Sequence, residues 1–488
     1  MRTLEKLTIE DIRGIFGHEA AEDEDPSRLR EYYFKTKVFD QITAELPLTI
    51  LVGHKGIGKS ALFKVAQLED ADSKALPILI RPDDVQGIGL YGGDFNKTIR
   101  DWKDGLRGII AQKVISAYGE SGGETSITSL RIPTTKIVNF IAETFESRLN
   151  INLSPAKDML VEKFLKFKRI NVYIDDLDRG WSAKPEDSKR ISAMLNAARD
   201  ICNENQGVQI RIALRTDVYH LVRTSDESTD KIEGQVVWHS WTNHEIYVML
   251  VKRILTFWGL PVDESGLMQT SQKDLSQYLE VIMEPRFFGS GNWEKIPIHR
   301  VLMSLIRKRP RDLVKLCTLA GKKAIDNNHN IIKSMDFEAI FEEYSQGRLQ
   351  DTINEYRSEL PDIQRLLFGM RPNKREKETR TGYTYTTDAL LKKIASIIEQ
   401  GQFSLSVGGR ADTKKLAQFM YKINFLTARK ESGDGLIIRK YFEENRYLSS
   451  EFVDFGFDWE VHPAYRWALQ PENIKGIFSS LLLSRDDR

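Results

Sequence analysis

The run Gly53-His54-Lys55-Gly56-Ile57-Gly58-Lys59-Ser60 has the residue types and spacing to hold a chain of phosphates. Glycines let successive backbone N–H groups turn toward one point, making a nest for an anion. A helix that starts at the end of such a loop adds the partial positive charge of its N-terminus. Lys59 then supplies a point charge for the β- and γ-phosphates, and Ser60 supplies a hydroxyl oxygen to Mg²⁺. The expected ATP-binding set is therefore Gly53, His54, Lys55, Gly56, Ile57, Gly58, Lys59, Ser60 and the following Ala61.

A second cluster supplies the acids. Asn171-Val172-Tyr173-Ile174-Asp175-Asp176 is an apolar run ending in two carboxylates. Asp175 is expected to hold Mg²⁺ with Ser60, and Asp176 to orient or deprotonate the attacking water. Two adjacent carboxylates in a partly buried site need a cation, and bound Mg²⁺ provides it. Two arginines are candidates for sensing the phosphates. Ala213-Leu214-Arg215-Thr216-Asp217 would bring Arg215 or Thr216 to the same edge, with Arg215 assigned a catalytic role beside Asp176 and Lys59. The other reading pairs Arg215 with a nearby acid. Arg309-Pro310-Arg311-Asp312-Leu313 opens a helix from which Arg311 would reach the γ-phosphate. A solvated basic helix start is the alternative.

The elements that must position these residues follow from periodicity. Residues 48–53 read as a buried parallel strand entering the glycine loop, and a helix leaves from Lys59. Further strands read at 77–81, 170–174, 208–214 and 235–237, with helices between them, including one at 188–205. Alternating strands and helices predict an α/β fold, a P-loop NTPase with a parallel sheet flanked by helices. Residues 84–168 read as a mostly helical insert with a soft spot at 119–126. Helices at 243–258 and 297–326 suggest a helical lid. Beyond residue 350, helical patterns at 353–369, 387–400 and 411–423 precede strand-like pieces at 425–428, 436–440 and 458–462. That order predicts a C-terminal winged-helix-like α+β domain. The expected organisation is a lead-in at 1–47, an ATPase core at 48–242, a lid at 243–350 and the C-terminal domain at 351–488.

Composition narrows the class. The chain has 488 residues, 41% apolar and 29% charged, the balance of a globular protein with several domains. Lys plus Arg number 71 against 70 Asp plus Glu, so no global charge draws it to nucleic acid or an anionic membrane. Cys202 and Cys317 stand far apart without metal-ligand spacing, which predicts two reduced thiols. The segment 1–16 lacks an apolar signal core, and no run reaches about 18 apolar residues. A cytoplasmic protein without membrane attachment is expected. No His-Glu-x-x-His and no Cys-x-x-Cys occurs, and no guanine-reading Asn-Lys-x-Asp follows the acidic strand, which favours ATP over GTP.

Ile174-Asp175-Asp176-Leu177-Asp178-Arg179 resembles the acidic signature of the KAP and STAND-related P-loop ATPases, a bacterial branch near the AAA+ proteins. Gly180-Trp181, Phe16-Gly17, Tyr33-Phe34 and Val461-His462-Pro463-Ala464-Tyr465 are similar to segments of a group of poorly characterised bacterial P-loop ATPases. Many KAP proteins carry membrane helices between the two motifs, and residues 84–168 contain none. The resemblance implies ATP and Mg²⁺ as cofactors, a switch in which ATP state controls assembly of a homo-oligomer, a protein partner or effector, and a link to anti-phage defence. Arg179, Lys189, Arg190 and Arg199 are candidates to act on a neighbour's site. The alternative is a DNA-binding ATPase that lays residues 413–424 in a major groove, with Lys414, Lys415 and Lys422 near phosphates. The other reading of that module is protein contact.

Overall fold

The computed structural model describes residues 5–73, 75–89, 94–119, 169–178, 180–225, 227–378, 382–406, 408–432, 436–445, 456–470, 477–478 and 481–484. Residues 120–126 of the soft spot, most of the expected insert and Arg179 lie outside them. Two compact units emerge. One comprises residues 25–30 and 35–239, and the other comprises 1–24, 31–34 and 240–488.

The unit at 25–30 and 35–239 is built on five parallel strands: β1 (Leu48–Val52), β2 (Ala75–Ile80), β3 (Arg169–Ile174), β4 (Val208–Leu214) and β5 (Val236–Trp238). Their order is β2-β3-β4-β1-β5. Strands covered on both faces are buried along their whole length and read as mainly apolar, and every residue of β1 and β4 is buried. The helices Lys59–Asp72, Phe95–Gly119, Pro185–Glu204 and Thr216–Ser225 connect or flank them. Register sets the upper edge: Val52 lies opposite both Leu214 and Trp238, and Ile174 lies opposite Ile212. The chain therefore leaves β1, β4 and β5 at one level, and β4 separates the two motif strands.

Buried polar groups tie the sheet to its helices. The Tyr173 hydroxyl donates to Asp70 Oδ2 at 2.6 Å, fixing the last turn of the helix Lys59–Asp72 to β3. Arg211, fully buried on β4, donates to the carbonyls of Ile42 at 2.6 Å and Ala44 at 3.1 Å. The first bond orients the glycine-loop helix against the acidic strand, and the Arg211 bonds hold the helix Lys37–Thr43 and its end to β4.

The other unit is mainly helical, with a four-stranded antiparallel sheet formed by Thr384–Tyr385, Leu426–Glu431, Ile437–Lys440 and Asp458–Val461. The helices Ile363–Gly369, Thr387–Glu399 and Thr413–Lys422 precede the hairpin formed by Leu426–Glu431 and Ile437–Lys440, in the predicted order. Two expected helices are split at prolines. The segment 297–326 becomes Ile298–Leu305 and Pro310–Asp326, and 353–369 falls into the end of Ser334–Tyr356 and Ile363–Gly369, with Pro361 between. Proline cannot donate the interior helix bond, and it pushes the preceding residue out of helical geometry. Arg309 accordingly adopts φ −120°, ψ 121°.

That break is filled by charge. Arg307 donates to Asp312 from Nε at 2.7 Å and from Nη2 at 3.0 Å, and Arg348 Nη1 donates to Asp312 Oδ1 at 2.6 Å. Arg307 Nη1 also reaches Thr352 Oγ1 at 2.9 Å and the Tyr465 hydroxyl at 2.8 Å. Burial would raise the Asp312 carboxyl, but the Arg307 and Arg348 charges hold it well below the usual carboxylate range. Two segments singled out separately in the sequence, around Arg311 and around Tyr465, thus meet through Arg307. Removing one member of a buried ionic network leaves uncompensated charge, so Asp312→Ala should cost about 3–5 kcal/mol of stability. Urea unfolding checks it; a loss under about 1 kcal/mol, the range of exposed pairs, would contradict the role given to this network.

Candidate functional site

Residues 53–58 of the predicted phosphate loop lie between β1 and the helix Lys59–Asp72, and Lys59, Ser60 and Ala61 form the start of that helix. The loop requires glycine twice, with φ +78° at Gly56 and φ +106° at Gly58, where a side chain would be strained. Gly58 is the residue before the helix, so the first N–H groups of the helix point into the loop. Lys59 Nζ donates to the carbonyls of Gly53 at 2.7 Å and His54 at 3.1 Å, which curls the lysine back over its own loop. Gly53 N–H donates in turn to the Leu214 carbonyl at 3.2 Å, joining the loop to the end of β4.

The acidic strand delivers Asp175 to the same place. The Ser60 hydroxyl hydrogen-bonds the Asp175 carboxylate, and the Lys59 charge acts on it. Burial pushes the Asp175 carboxyl up from its usual range, and those two contacts oppose the rise. One hydroxyl and one carboxylate oxygen suit Mg²⁺, which keeps several waters and takes its remaining ligands from phosphates. Asp176 is exposed and left-handed at φ +60°, with its N–H donating to Asp175 Oδ1 at 2.9 Å. The turn aims two successive carboxylates differently, one toward Ser60 and one toward solvent.

Arg215 follows β4 directly, between the two motif strands. Its Nε and Nη2 donate to Asp217 Oδ1 at 3.0 Å and Oδ2 at 2.6 Å, and Asp178 Oδ2 lies 3.3 Å from Nε. The pairing with a nearby acid that the sequence left open is therefore present. Burial pushes Asp178 up to about 6, with Arg215 and Lys59 opposing it. Thr216 is buried under the first turn of its helix. Arg190 donates to the carbonyls of Ile88 at 3.1 Å and Val85 at 3.3 Å, committing it to its own chain, whereas Lys189 is exposed. Arg311 belongs to the other unit, where its Nε donates to the Glu19 carbonyl at 3.2 Å.

The sequence reading gave no role to His239. It follows β5 directly, and its N–H donates to the Val52 carbonyl at 2.7 Å. A Cβ at Gly53 would lie 3.1 Å from the His239 Cβ, so the imidazole backs the loop closely. Burial, with the Lys59 charge adding to it, lowers His239 to about 3 and keeps it neutral at physiological pH. Only the order of β5 beside β1 reveals this neighbour, and that order is not written in local periodicity.

A wholly parallel sheet whose inner strand β1 feeds a glycine loop and helix, with a carboxylate-tipped strand two places away, defines a P-loop nucleoside triphosphatase fold. A family described as the FunZ-associated C-terminal helical domain matches residues 273–353. Over 529 aligned residues the chain is 24% identical to the putative transposon gamma-delta 80.3 kDa protein of Escherichia coli strain K12, covering 97% of this chain and 70% of that one. Among solved structures it is similar to a Walker-type ATPase of Pyrococcus abyssi, at 13% identity and TM-score 0.40, covering 90% of this chain and 96% of the other. It is also similar to the ORC2 protein of Aeropyrum pernix, at 10% identity and TM-score 0.39, covering 98% and 96%. These structural likenesses are too distant to carry an argument. Among the described residues, no helix is long and apolar enough to cross a membrane. Cys202 and Cys317 are buried free thiols.

The buried histidine makes stability depend on pH. The unfolded imidazole takes up a proton near pH 6.5 and the folded one only near 3, so its contribution is complete above 6.5 and is lost as pH falls. His239→Gln should therefore lose less stability than the native chain on going from pH 7 to about pH 5. Chemical denaturation at the two pH values measures it; parallel losses would show that His239 is protonated in the fold.

Proposed function

We propose that the chain binds ATP with Mg²⁺ and hydrolyses it, acting as a molecular switch or assembly ATPase. The observation that carries this reading is the convergence of the glycine loop, at the end of β1, and the carboxylate-tipped β3 two strands away, which brings Lys59 and Ser60 to act on Asp175 where a metal would sit. Lys59 would exchange its two carbonyl partners for β- and γ-phosphate oxygens, and the N–H groups after Gly58 would take the rest. Mg²⁺ held by Ser60 and Asp175 would neutralise charge on those oxygens. Asp176 would hold the attacking water in line with the γ-phosphorus. Water oxygen bonds to that phosphorus as the bridging P–O bond breaks, giving ADP and inorganic phosphate. The exposed left-handed position of Asp176 suits this task, because its carboxylate is not consumed by the metal pair.

The acidic signature after β3 supports placement near the KAP and STAND-related ATPases, and with it a nucleotide-controlled self-association. A part in anti-phage defence rests on that resemblance alone. A second reading, duplex DNA binding by the helix Thr413–Lys422, is favoured by the exposure of Lys414 and Lys415 in its first turn. Lys422 argues against it, since it is paired with Glu359.

Lys59→Ala should weaken ATP binding by roughly 10- to 100-fold, the worth of charge-assisted hydrogen bonds. Asp176→Asn should retain binding and lose turnover by on the order of 10²-fold or more. Because it keeps its ATP longest, Asp176→Asn should also show the largest mass by light scattering in ATP. Calorimetric titration and phosphate release measure the first two effects. Unchanged affinity in folded Lys59→Ala would remove the site assignment, and a salt-sensitive DNA complex with no ATP-dependent mass would favour the second reading.

A further inference from the structure

The guanidinium of Arg215 has two carboxylates, and they hold it differently. Asp217, in the first turn of the helix Thr216–Ser225, takes it in a fork with both oxygens accepting, at 3.0 and 2.6 Å. Such parallel bonds fix the plane of the group as well as its place. Asp178 stands 3.3 Å from the same Nε, yet its Oδ2 is buried and accepts no hydrogen bond. Asp217 and Asp178 are only 3% and 7% exposed, so both charges are held out of water. One cation therefore faces two buried anions, with one pairing of good geometry and one poor.

Their positions in the chain matter equally. Arg215 and Asp217 begin the segment after β4, while Asp178 lies in the loop that continues from Asp175 and Asp176. Because β4 runs between β1 and β3, the guanidinium stands between the glycine loop and the acidic loop. The poorer pairing is the one a triphosphate would break, since a γ-phosphate offers Arg215 stronger and better-aligned acceptors. The better pairing stays within one short segment and can persist.

We propose that Asp217 is a positioning residue that sets the Arg215 guanidinium for the γ-phosphate, and that Asp178 is the counter-charge Arg215 leaves when ATP binds. This rests on the ATPase reading and adds to it a path from the nucleotide to the acidic loop. With ATP present, Arg215 and Asp217 shift together toward the phosphate with their fork intact, and Asp178 loses the Arg215 contact. With ADP, Arg215 returns to Asp178. The two carboxylates thus act in opposite senses on ATP preference.

The test is calorimetric titration of the full chain with Mg²⁺·ADP and with a non-hydrolysable Mg²⁺·ATP analogue, beside steady-state turnover, with melting temperature monitoring the fold. Asp217→Asn should lower the preference for the triphosphate about fivefold or more and reduce kcat, with ADP affinity changed less than about twofold. Asp178→Asn should move the preference the other way. Adding Asp217→Asn to Arg215→Gln should have little further effect, because the two residues act as one unit. Should Asp217→Asn not fold, Asp217→Glu, which keeps the charge and displaces the fork, should show the same loss. An unchanged preference, an equal loss for both nucleotides, full additivity in the double variant, or shifts of the same sign at Asp178 and Asp217 would each overturn the proposal. A native chain that binds neither nucleotide would remove the ATPase reading itself, whereas a working ATPase with an indifferent Asp217→Asn variant would remove only the positioning role.

Discussion

Asp175 is a carboxylate pushed up by burial and held at the end of an apolar strand, and the arrangement of the 35–239 segment depends on what meets it there. Ser60 donates a hydrogen bond and Lys59 adds charge, and both arrive from a loop that glycine alone permits. That meeting requires β1 and β3 to end near one level with β4 between them. The Tyr173–Asp70 bond serves the same end from below, because it fixes the helix that carries Ser60 against the strand that carries Asp175.

Much of this was legible in the sequence because the signals are local. An apolar run ending in glycine, a loop needing positive φ, and a helix start give the phosphate nest from adjacent residues alone. The acidic strand is legible for the same reason. Strand order is not local, so His239 and the shared position of Arg215 and Asp178 could not be read from periodicity. Asp217 stood in the quoted motif, but only its fork with Arg215 shows what it does. The helix splits at Pro310 and Pro361 were readable in principle from proline chemistry, yet the apolar periodicity continues across both and masks them.

Buried charge organises the described residues of the segment 240–488. Asp312 collects Arg307 and Arg348, and Glu460 collects Arg439 at 2.7 Å and Arg466 at 2.8 Å. Each carboxylate is kept ionised against the cost of burial by two arginines. Such networks tolerate little change in register, because a guanidinium fork must meet a carboxylate in plane. They explain why Tyr465, far along the chain from Arg307, is fully buried and hydrogen-bonded to it. The 273–353 family match spans the helix pair that presents Arg307, Asp312 and Arg348.

The central claim is that Ser60 and Asp175 form a metal-holding pair for a bound triphosphate. Its most direct test is the Mg²⁺ dependence of ATP affinity in the native chain and in Ser60→Ala, measured by calorimetric titration with and without the metal. The account predicts that Mg²⁺ strengthens ATP binding to the native chain by about tenfold or more, equivalent to about 1.4 kcal/mol, and that Ser60→Ala keeps the metal-free affinity while losing this gain. An equal response to Mg²⁺ in both proteins would contradict it.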